Sequence, residues 1–306
     1  MVVYINLTAK MRGGLKMKIT NKYNLPQSFL EMAKSDYQYK DKQYSVTSML
    51  KGYKENILKR RYHNEIEKDV ADMVWLLFGT AVHSILENQN EKDIELKEEY
   101  IKVEIFDDYK LSGLFDLYNS ETKTVIDYKT TSIWKAIYGD YDDYRKQLLI
   151  YAWMLQQIGF DCRKGQIVMF LKDWKKSQVD RKKDYPEHAV KTVEFEFTDR
   201  DFGYIEHFIR TKFATLQKYE QMKDDEIPPC TQEERWQDDD TFAVKSKGRK
   251  RAHRVLDSKE EAEKWMERNE KGDYIEHRIA EPTKCQNYCD VAEYCNWYQE
   301  YLKNQK

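Results

Sequence analysis

The pattern of apolar and polar positions predicts a group of strands in the middle of the chain. Apolar and charged residues alternate over 98–106, which is typical of a strand with one buried face. The segments 113–118 and 125–130 are short apolar runs on either side of a polar turn, so they predict a strand, a turn and a strand. We therefore expect three antiparallel strands in succession.

Helical spacing surrounds these strands. The sequence predicts helices over 26–33, 49–61, 69–88, 144–155 and 199–223. Within 69–88 the expected core-facing residues are Val74, Leu77, Phe78, Val82 and Leu86.

Two further strands are expected between the last two of these helices. The continuous apolar run 165–171 predicts a strand buried on both faces, and 190–197 alternates again. The charged segment 172–187 between them predicts a loop. The fold class is therefore α/β, with a central mixed sheet flanked by helices.

The central strands carry chemistry that suits a divalent cation. Asp116 and Asp127 are expected on neighbouring strands, and Lys129 lies two residues after Asp127, so both point to one face of the sheet. Carboxylates, together with water and phosphate oxygens, are the ligands that Mg2+ prefers. A lysine beside them can orient or deprotonate an attacking water. The same Asp-x-Lys pattern alone is also common on ordinary protein surfaces.

The helix that follows adds an amide and a phenol. Gln147 and Tyr151 are four residues apart, so they share one helical face. They are candidates for gripping a phosphate or a base, although ordinary partial burial gives the same spacing.

The ordered set Gly-x-x-Asp, Asp-x-Lys and Gln-x-x-x-Tyr, with a histidine on a helix upstream, resembles the RecB-like exonuclease branch of the PD-(D/E)XK nuclease superfamily. The histidine is supplied by Phe78-Gly79-Thr-Ala-Val-His83. The resemblance covers about 46–171 and implies a restriction-endonuclease-like core that binds Mg2+ or Mn2+. It implies as metal ligands His83, Asp116, Asp127 and the Tyr128 carbonyl, and as further catalytic residues Lys129, Gln147 and Tyr151.

Composition limits where the protein acts. The net charge is −2, so a nucleic-acid surface has to be a local patch. No apolar run approaches a membrane span and no signal peptide is visible, which predicts a cytoplasmic protein of a bacterium or a phage-infected host.

Met17 follows a leader, 1–16, whose codons suit a ribosome-binding sequence, so Met17 is a candidate natural start. The expected divisions are 1–45, a nuclease core 46–228 and a C-terminal module 229–306.

The C-terminal module contains clustered cysteines. Cys230, Cys285, Cys289 and Cys295 remain when Cys162 is set aside as an ordinary thiol. In a cytosolic protein such clusters bind metal more often than they form disulfides, and four thiolates satisfy either zinc or a [4Fe-4S] cluster. Unligated buried thiols are the alternative. Several RecB-like nucleases carry a [4Fe-4S] cluster, but here Cys230 follows the nuclease motifs and the Cys285–Cys289 spacing is one residue longer.

Two basic segments are candidates for contacts with DNA phosphates. Arg60 and Arg61 end the predicted helix 49–61, where basic residues also complement the helix dipole. The strongest positive run contains Lys247, Arg249, Lys250 and Arg251. A charge run is also common on an ordinary solvated face, whereas contact with phosphates would be sensitive to salt.

The sequence therefore predicts a divalent-metal-dependent DNA exonuclease that processes the ends of single- or double-stranded DNA in recombination or replication. An endonuclease on the same scaffold has the same motifs. The third alternative is a non-catalytic nucleic-acid-binding module, which would not need the intact set of candidate ligands. No residue indicates a helicase or single-strand-binding partner, and the oligomeric state is not predicted.

Overall fold

The structure is a computed structural model that describes residues 18–33, 39–87 and 94–304. The predicted leader 1–16 and Met17 lie outside these residues. The chain divides into a first unit, which comprises the residues up to 51 and 60–221, and a second unit, which comprises 52–59 and the residues from 222 onward. The sequence-based division differs, since it places 46–228 in one core.

The strands are numbered in chain order. They are β1 (Lys18–Thr20), β2 (Gln43–Ser45), β3 (Glu67–Asp69), β4 (Glu95–Phe106), β5 (Tyr109–Asn119), β6 (Thr124–Thr131), β7 (Lys164–Leu171), β8 (Val190–Glu196), β9 (Thr241–Lys245), β10 (Arg254–Leu256) and β11 (Tyr274–Arg278).

The α-helices are numbered in the same way, and short 3-10 turns occur at Val70–Met73, Lys176–Gln178 and Ala292–Tyr294. The α-helices are α1 (Gln27–Ala33), α2 (Val46–Met49), α3 (Tyr53–Arg61), α4 (Val74–Glu87), α5 (Ile133–Tyr138), α6 (Asp142–Gln157), α7 (Asp199–Glu220), α8 (Gln232–Arg235), α9 (Lys259–Asn269), α10 (Thr283–Asn287) and α11 (Asn296–Asn304).

A six-stranded mixed sheet forms the centre of the first unit, with the order β2-β5-β6-β7-β8 and with β4 also paired to β5. The pairs β2/β5 and β6/β7 are parallel, and the other pairs are antiparallel. Helices α4 and α6 both contact β6. The expected fold class, a central mixed sheet flanked by helices, is therefore confirmed, as is the antiparallel succession of β4, β5 and β6.

The sheet is forked between β5 and β6. Strand β4 pairs along nearly the whole of β5 on one edge. On the other edge β2 pairs with 110–112 and β6 pairs with 117–119, so residues 113–116 lie between the two ladders. In contrast, β6 and β7 pair over the full length of both strands. This gap in the ladder positions the candidate site.

Strand β7 is less buried than its apolar run predicts. Gly165, Ile167, Met169 and Leu171 are buried, whereas the alternate residues are only partly buried. The buried face packs against α6, where a Cβ on Gly165 would lie 3.0 Å from Cβ of Leu148. The expectation of burial on both faces was wrong, because the face opposite α6 is covered less completely.

Two helix predictions also need correction. The predicted helix 49–61 is divided into α2 and α3, with Gly52, a poor helix former, in the connection; there the Lys51 carbonyl oxygen accepts from Lys212 Nζ at 2.5 Å. Ser45 caps α2, since its side chain accepts from Ser48 N. In α4 only Leu77 of the predicted core-facing residues is buried, and both Val74 and Phe78 are exposed.

Helices α6 and α7 pack on each other. A buried segment, 147–155, runs along α6, and Phe202, Ile205, Ile209, Phe213 and Leu216 form the buried stripe of α7. Thr198 and Asp201 form a capping box at the start of α7, and Arg145 on α6 pairs with Asp201 at 2.6 Å. Gln147 begins the buried segment of α6, and this helix contacts β4, β6 and β7.

The second unit contains a three-stranded antiparallel sheet in the order β10-β9-β11, on which α9 packs. Its buried residues include Ala243, Val244 and Ala262. A buried lysine, Lys54, donates to the carbonyl oxygens of Asp224 and Ile227 at 2.7 and 2.8 Å. No helix within the described part of the chain is long and apolar enough to span a membrane.

Candidate active site

The two predicted aspartates meet at the fork. The antiparallel ladder between β5 and β6 ends at the pair Leu117–Ile126. Asp116 and Asp127 are the next residues on the two strands, at the point where the strands separate. Both side chains are buried. The sequence expectation of two carboxylates on neighbouring strands is thus met geometrically, although the roles of these residues remain predictions.

Side chains satisfy the backbone groups that the fork leaves unpaired. The Tyr128 amide donates to Asp116 Oδ2 at 2.6 Å, and the Tyr151 hydroxyl donates to the Leu114 carbonyl oxygen at 2.8 Å. Buried backbone groups need such partners, because an unsatisfied one costs about 1–3 kcal/mol. The fork is therefore a stable feature of the sheet, held open by a carboxylate and a phenol.

Gly113 allows this arrangement. A Cβ at this position would lie 2.6 Å from Cε1 of Tyr151 and 2.8 Å from Cγ2 of Val46, which is closer than carbon atoms approach. The absence of a side chain lets the Tyr151 ring pass over the strand and reach the Leu114 carbonyl group. The glycine that opens the predicted Gly-x-x-Asp motif thus serves a steric purpose.

Asp127 is held by two donors. Lys129 Nζ lies 2.6 Å from Oδ2, and Gln147 Nε2 donates to Oδ1 at 3.2 Å. Lys129 reaches Asp127 because residues two apart share a face of the strand, and Gln147 approaches from α6 on that same face. The Lys129 contact is an ion pair without good hydrogen-bond geometry, since Oδ2 has no hydrogen-bond partner among the described residues.

His83 approaches from the opposite side of the sheet. Its Nδ1 lies 3.1 Å from Asp116 Oδ1, and its ring meets that of Tyr128 edge-on with centroids 6.2 Å apart. Helix α4 packs against β6 here, and a Cβ on Gly79 would lie 3.5 Å from Thr130 Oγ1, which is an ordinary van der Waals contact. Because Tyr128 and Thr130 alternate with Asp127, α4 and α6 lie on opposite faces, and their side chains meet at the fork.

The charges of the site influence one another strongly. Burial raises the pKa of Asp127, Lys129 opposes this effect, and the Asp116 carboxylate adds to it. Burial alone would lower the pKa of Lys129, but Asp127 and Asp116 outweigh it and raise the pKa. Two carboxylates thus share one buried region in which positive charge is favoured.

This donor set suits a hard divalent cation in its chemistry, because two carboxylates and an imidazole are ligands for Mg2+ or Mn2+. In the structure these groups are already engaged in ion pairs, Asp116 with His83 and Asp127 with Lys129. Across 18–33, 39–87 and 94–304, no group of three or more His, Cys, Asp or Glu side chains is placed to hold a metal ion. The magnesium or manganese site therefore remains a proposal.

The site remains partly open to solvent. The side chain of His83 is 31% exposed and that of Lys129 is 24% exposed, whereas the two aspartates beneath them are buried. A substrate would therefore meet the imidazole and the ammonium group first.

The predicted basic residues lie in two places. In the first unit Arg60 donates to the Gln43 and Lys40 carbonyl oxygens and lies 4.3 Å over the Tyr44 ring. Arg61 donates to the Glu220 carbonyl oxygen at 3.0 Å. These protein contacts occupy donors that a phosphate contact would need, so the DNA-binding role predicted for these arginines stays a prediction without support from their geometry.

The positive run of the second unit forms the connection between β9 and β10. Lys247, Arg249, Lys250 and Arg251 are all exposed. The turn is held by the Lys247 amide, which donates to Asp273 Oδ2 at 2.7 Å, and by the 3.0 Å contact between Arg249 Nη1 and His253 Nδ1. These side chains could contact a phosphate, and nothing in their geometry decides against a solvated face.

The four predicted cysteines of the second unit influence one another electrostatically. Burial raises the pKa of Cys230 and Cys289 to about 11 and that of Cys285 to about 12, and Cys295 adds to each shift. Gly52 lies against Cys230, since a Cβ there would be 2.6 Å from Cys230 Sγ. We call these four thiols the cysteine cluster, and no three of them are placed as metal ligands in the described part of the chain. Cys162, in contrast, is a fully buried single thiol.

Sequence reasoning missed two residues of the site. Gly113 was read only as part of a motif, and its steric role depends on a helix far along the chain. Tyr144 was not singled out, yet its ring lies 5.8 Å from Lys129 Nζ and 4.7 Å from Lys135 Nζ. Its position one helical turn before Gln147 was the available signal.

The sequence matches no protein-family model and no curated protein. The structure is similar to the crystal structure of SSO0001, with a TM-score of 0.45 and 16% identity over 62% of this chain and 83% of that one. It is also similar to an alkaline exonuclease (LHK-Exo) from Laribacter hongkongensis, with a TM-score of 0.38 and 12% identity over 59% and 90% of the two chains. A phage-related exonuclease from Haemophilus somnus 129PT gives 0.31 and 13% over 67% and 96%.

Proposed function

We propose that this chain is a divalent-metal-dependent deoxyribonuclease, most specifically an exonuclease that hydrolyses phosphodiester bonds at DNA ends. The observation that carries the proposal is the fork, where Asp116, Asp127 and Lys129 meet beneath His83. A purely structural ion-pair cluster would not need two buried carboxylates at a break in a ladder. Perturbed charges in a partly open site are typical of catalysis.

We assign a role to each residue of the site. Asp116 and Asp127, with His83 and the Tyr128 carbonyl group, would hold a divalent cation. A bound Mg2+ or Mn2+ would supply Lewis-acid polarisation of the scissile phosphate. Lys129 orients the attacking water or neutralises the charge that develops on the phosphate oxygens.

The two residues on α6 act on the geometry of the fork. Gln147 fixes the orientation of the Asp127 carboxylate through its donated hydrogen bond. Tyr151 holds β5 by its hydrogen bond to the Leu114 carbonyl oxygen. We therefore assign them positioning roles, whereas the sequence suggested direct contact with the substrate.

The decisive experiment is digestion of end-labelled linear DNA, single- and double-stranded, with Mg2+, Mn2+ or EDTA. We expect stepwise, metal-dependent loss of label by the wild type and its loss in Asp127→Ala. Asp161→Ala is the matched control, because the Asp161 side chain is 52% exposed and lies outside the fork, and it should cleave normally. Internal cuts would identify an endonuclease, and cleavage unaffected by Asp127→Ala would refute the assigned site.

We also propose that the cysteine cluster binds a structural metal centre, a [4Fe-4S] cluster or zinc. Two observations favour this idea. The thiols influence one another electrostatically, and they lie on or beside short elements that bury little surface of their own. The raised pKa values leave these thiols protonated when no metal is bound. Metal binding would remove their protons and fix the positions of the sulfur atoms. Such a centre would stabilise the second unit and take no part in hydrolysis.

A further inference from the structure

A pair of exposed aromatic rings lies on α5. Trp134 and Tyr138 stack on each other with centroids 5.9 Å apart and an interplanar angle of 21°. Their side chains are 49% and 76% exposed. Large exposed aromatic surfaces are costly in water, and a stacked pair presents a flat face of the kind on which a nucleobase packs.

The ring pair is firmly positioned. Ser132 caps α5, and Asp173 accepts hydrogen bonds from the Ser132 hydroxyl at 2.8 Å and the Ile133 amide at 2.6 Å. Ile133 and Ala136 anchor the helix because both side chains are buried. The rings therefore do not have to be ordered on binding, which lowers the entropic cost of stacking.

Positive charge lies beside the rings. Lys182 Nζ lies 5.6 Å from the Trp134 ring centroid. The loop that carries it is tied at its base, where Trp174 Nε1 donates to the Pro186 carbonyl oxygen at 2.9 Å and the Lys175 amide donates to the Tyr185 hydroxyl at 2.8 Å. An ammonium group is thus held where the phosphate of a stacked nucleotide would need one.

Negative charge lies at the other end of the ring pair, after Tyr138. Asp140, Asp142 and Asp143 follow Tyr138, and among the described residues the ion pair found for this group joins Asp143 to Lys135 at 2.9 Å. A phosphate backbone would avoid these carboxylates. The strand would therefore run past Lys182 and Trp134, with its bases against the rings.

The ring pair is continuous with the proposed site. Helix α5 begins directly after β6, the strand of Asp127 and Lys129. The Tyr144 ring lies 5.8 Å from Lys129 Nζ and 4.7 Å from Lys135 Nζ, and Lys135 belongs to α5, the helix that carries Trp134 and Tyr138. The helix of the exposed pair therefore shares a contact residue, Tyr144, with the proposed site.

We propose that Trp134 and Tyr138 form a stacking platform for the bases of single-stranded DNA adjoining the fork, with Lys182 contacting a phosphate. This inference rests on the proposed function and narrows its substrate to DNA with single-stranded ends. Duplex bases are already stacked on each other and cannot use the platform. It predicts that single-stranded ends are bound more tightly than blunt duplex ends.

The test is fluorescence anisotropy with labelled oligodeoxythymidylate in EDTA, which separates binding from cleavage. Trp134→Ala and Tyr138→Ala should each raise the dissociation constant about tenfold or more. Trp134→Phe keeps a ring and should lose much less. Tyr204→Ala is the matched control, since Tyr204 is 56% exposed on α7 and has no assigned role, and it should bind normally.

An abasic oligonucleotide of the same length separates stacking from charge. It keeps the phosphates, so the Trp134→Ala effect should vanish while a Lys182→Ala effect persists. Equal affinity of wild type and Trp134→Ala for oligodeoxythymidylate would overturn the platform, even if the wild type cleaves DNA. Trp134-dependent binding by a protein that cleaves no DNA would support the platform and refute the proposed hydrolysis.

Discussion

The fork of the first unit and the thiol cluster of the second are two candidate metal sites built in opposite ways. At the fork, strands paired over long ladders bring the carboxylates together, and Lys129 and His83 already compensate their charge. The thiols lie on or beside short elements, the four-residue α8, the five-residue α10 and a 3-10 turn. Among the described residues, no strand ladder of comparable length holds the thiols in place.

The difference shows what each metal would contribute. A site that the fold preorganises gains function from the ion and little stability, because its residues are already in place. A site on short elements gains stability, because binding then supplies the energy that orders its ligands. We therefore expect metal loss to affect rate in the first unit and stability in the second.

The largest expected effect is the loss of the thiol-bound metal. Cys289→Ser should remove the bound iron or zinc and lower the free energy of unfolding of the second unit by more than about 5 kcal/mol. Metal analysis and thermal unfolding of the same preparation measure this. Cys162→Ser changes a thiol outside the cluster and should retain the metal. Full metal content in Cys289→Ser would mean that the cluster is not the binding site.

The second effect is catalytic and concerns the fork. Asp116→Asn keeps an oxygen that can accept from the Tyr128 amide but removes the charge. The cleavage rate should fall by about a thousandfold or more, while the free energy of unfolding changes by about 1 kcal/mol. Initial rates and urea unfolding measure the two quantities, with Asp161→Asn as the control. A large loss of stability at an unchanged rate would reverse the assignment of the fork.

The smallest effect is a pH dependence away from both sites. Hydrogen bonds from Thr198 and Arg145 lower the pKa of Asp201 to about 2, from 3.8. The stability this contributes is present above about pH 4 and is lost as the pH falls through 2. Asp201→Asn should therefore cost about 1 kcal/mol at pH 7, with the difference from wild type shrinking as the pH approaches 2.

Urea unfolding from pH 7 down to pH 2 measures this change. Glu206→Gln, on an exposed i,i+4 pair of the same helix, should alter stability by only a few tenths of a kcal/mol at either pH. A pH-independent cost of Asp201→Asn would show that the lowered pKa does not stabilise the fold.

Local sequence patterns predicted the residues that meet at the fork. Asp127 and Lys129 contact each other because a strand brings alternate residues to one face, which is a property of two neighbouring positions. Gln147 was placed on the correct helix by its spacing from Tyr151. These inferences need no knowledge of distant parts of the chain.

Features that depend on long-range packing were not predictable. The side of the sheet from which His83 approaches depends on how α4 crosses β6. The exposure of Phe78 was missed for a similar reason, because helical spacing shows that one face is apolar but not how much of that face is covered. The contact of Gly113 with Tyr151 joins residues that no local pattern connects.

The fork also has a dynamic consequence. The Tyr128 amide is protected from solvent by a carboxylate, where its neighbours in a regular ladder would be protected by a backbone carbonyl group. Its hydrogen exchange therefore reports on the contact with Asp116 as well as on global unfolding. This one amide is an internal sensor, since any ligand that draws Asp116 away should speed its exchange while the amides of β7 stay slow.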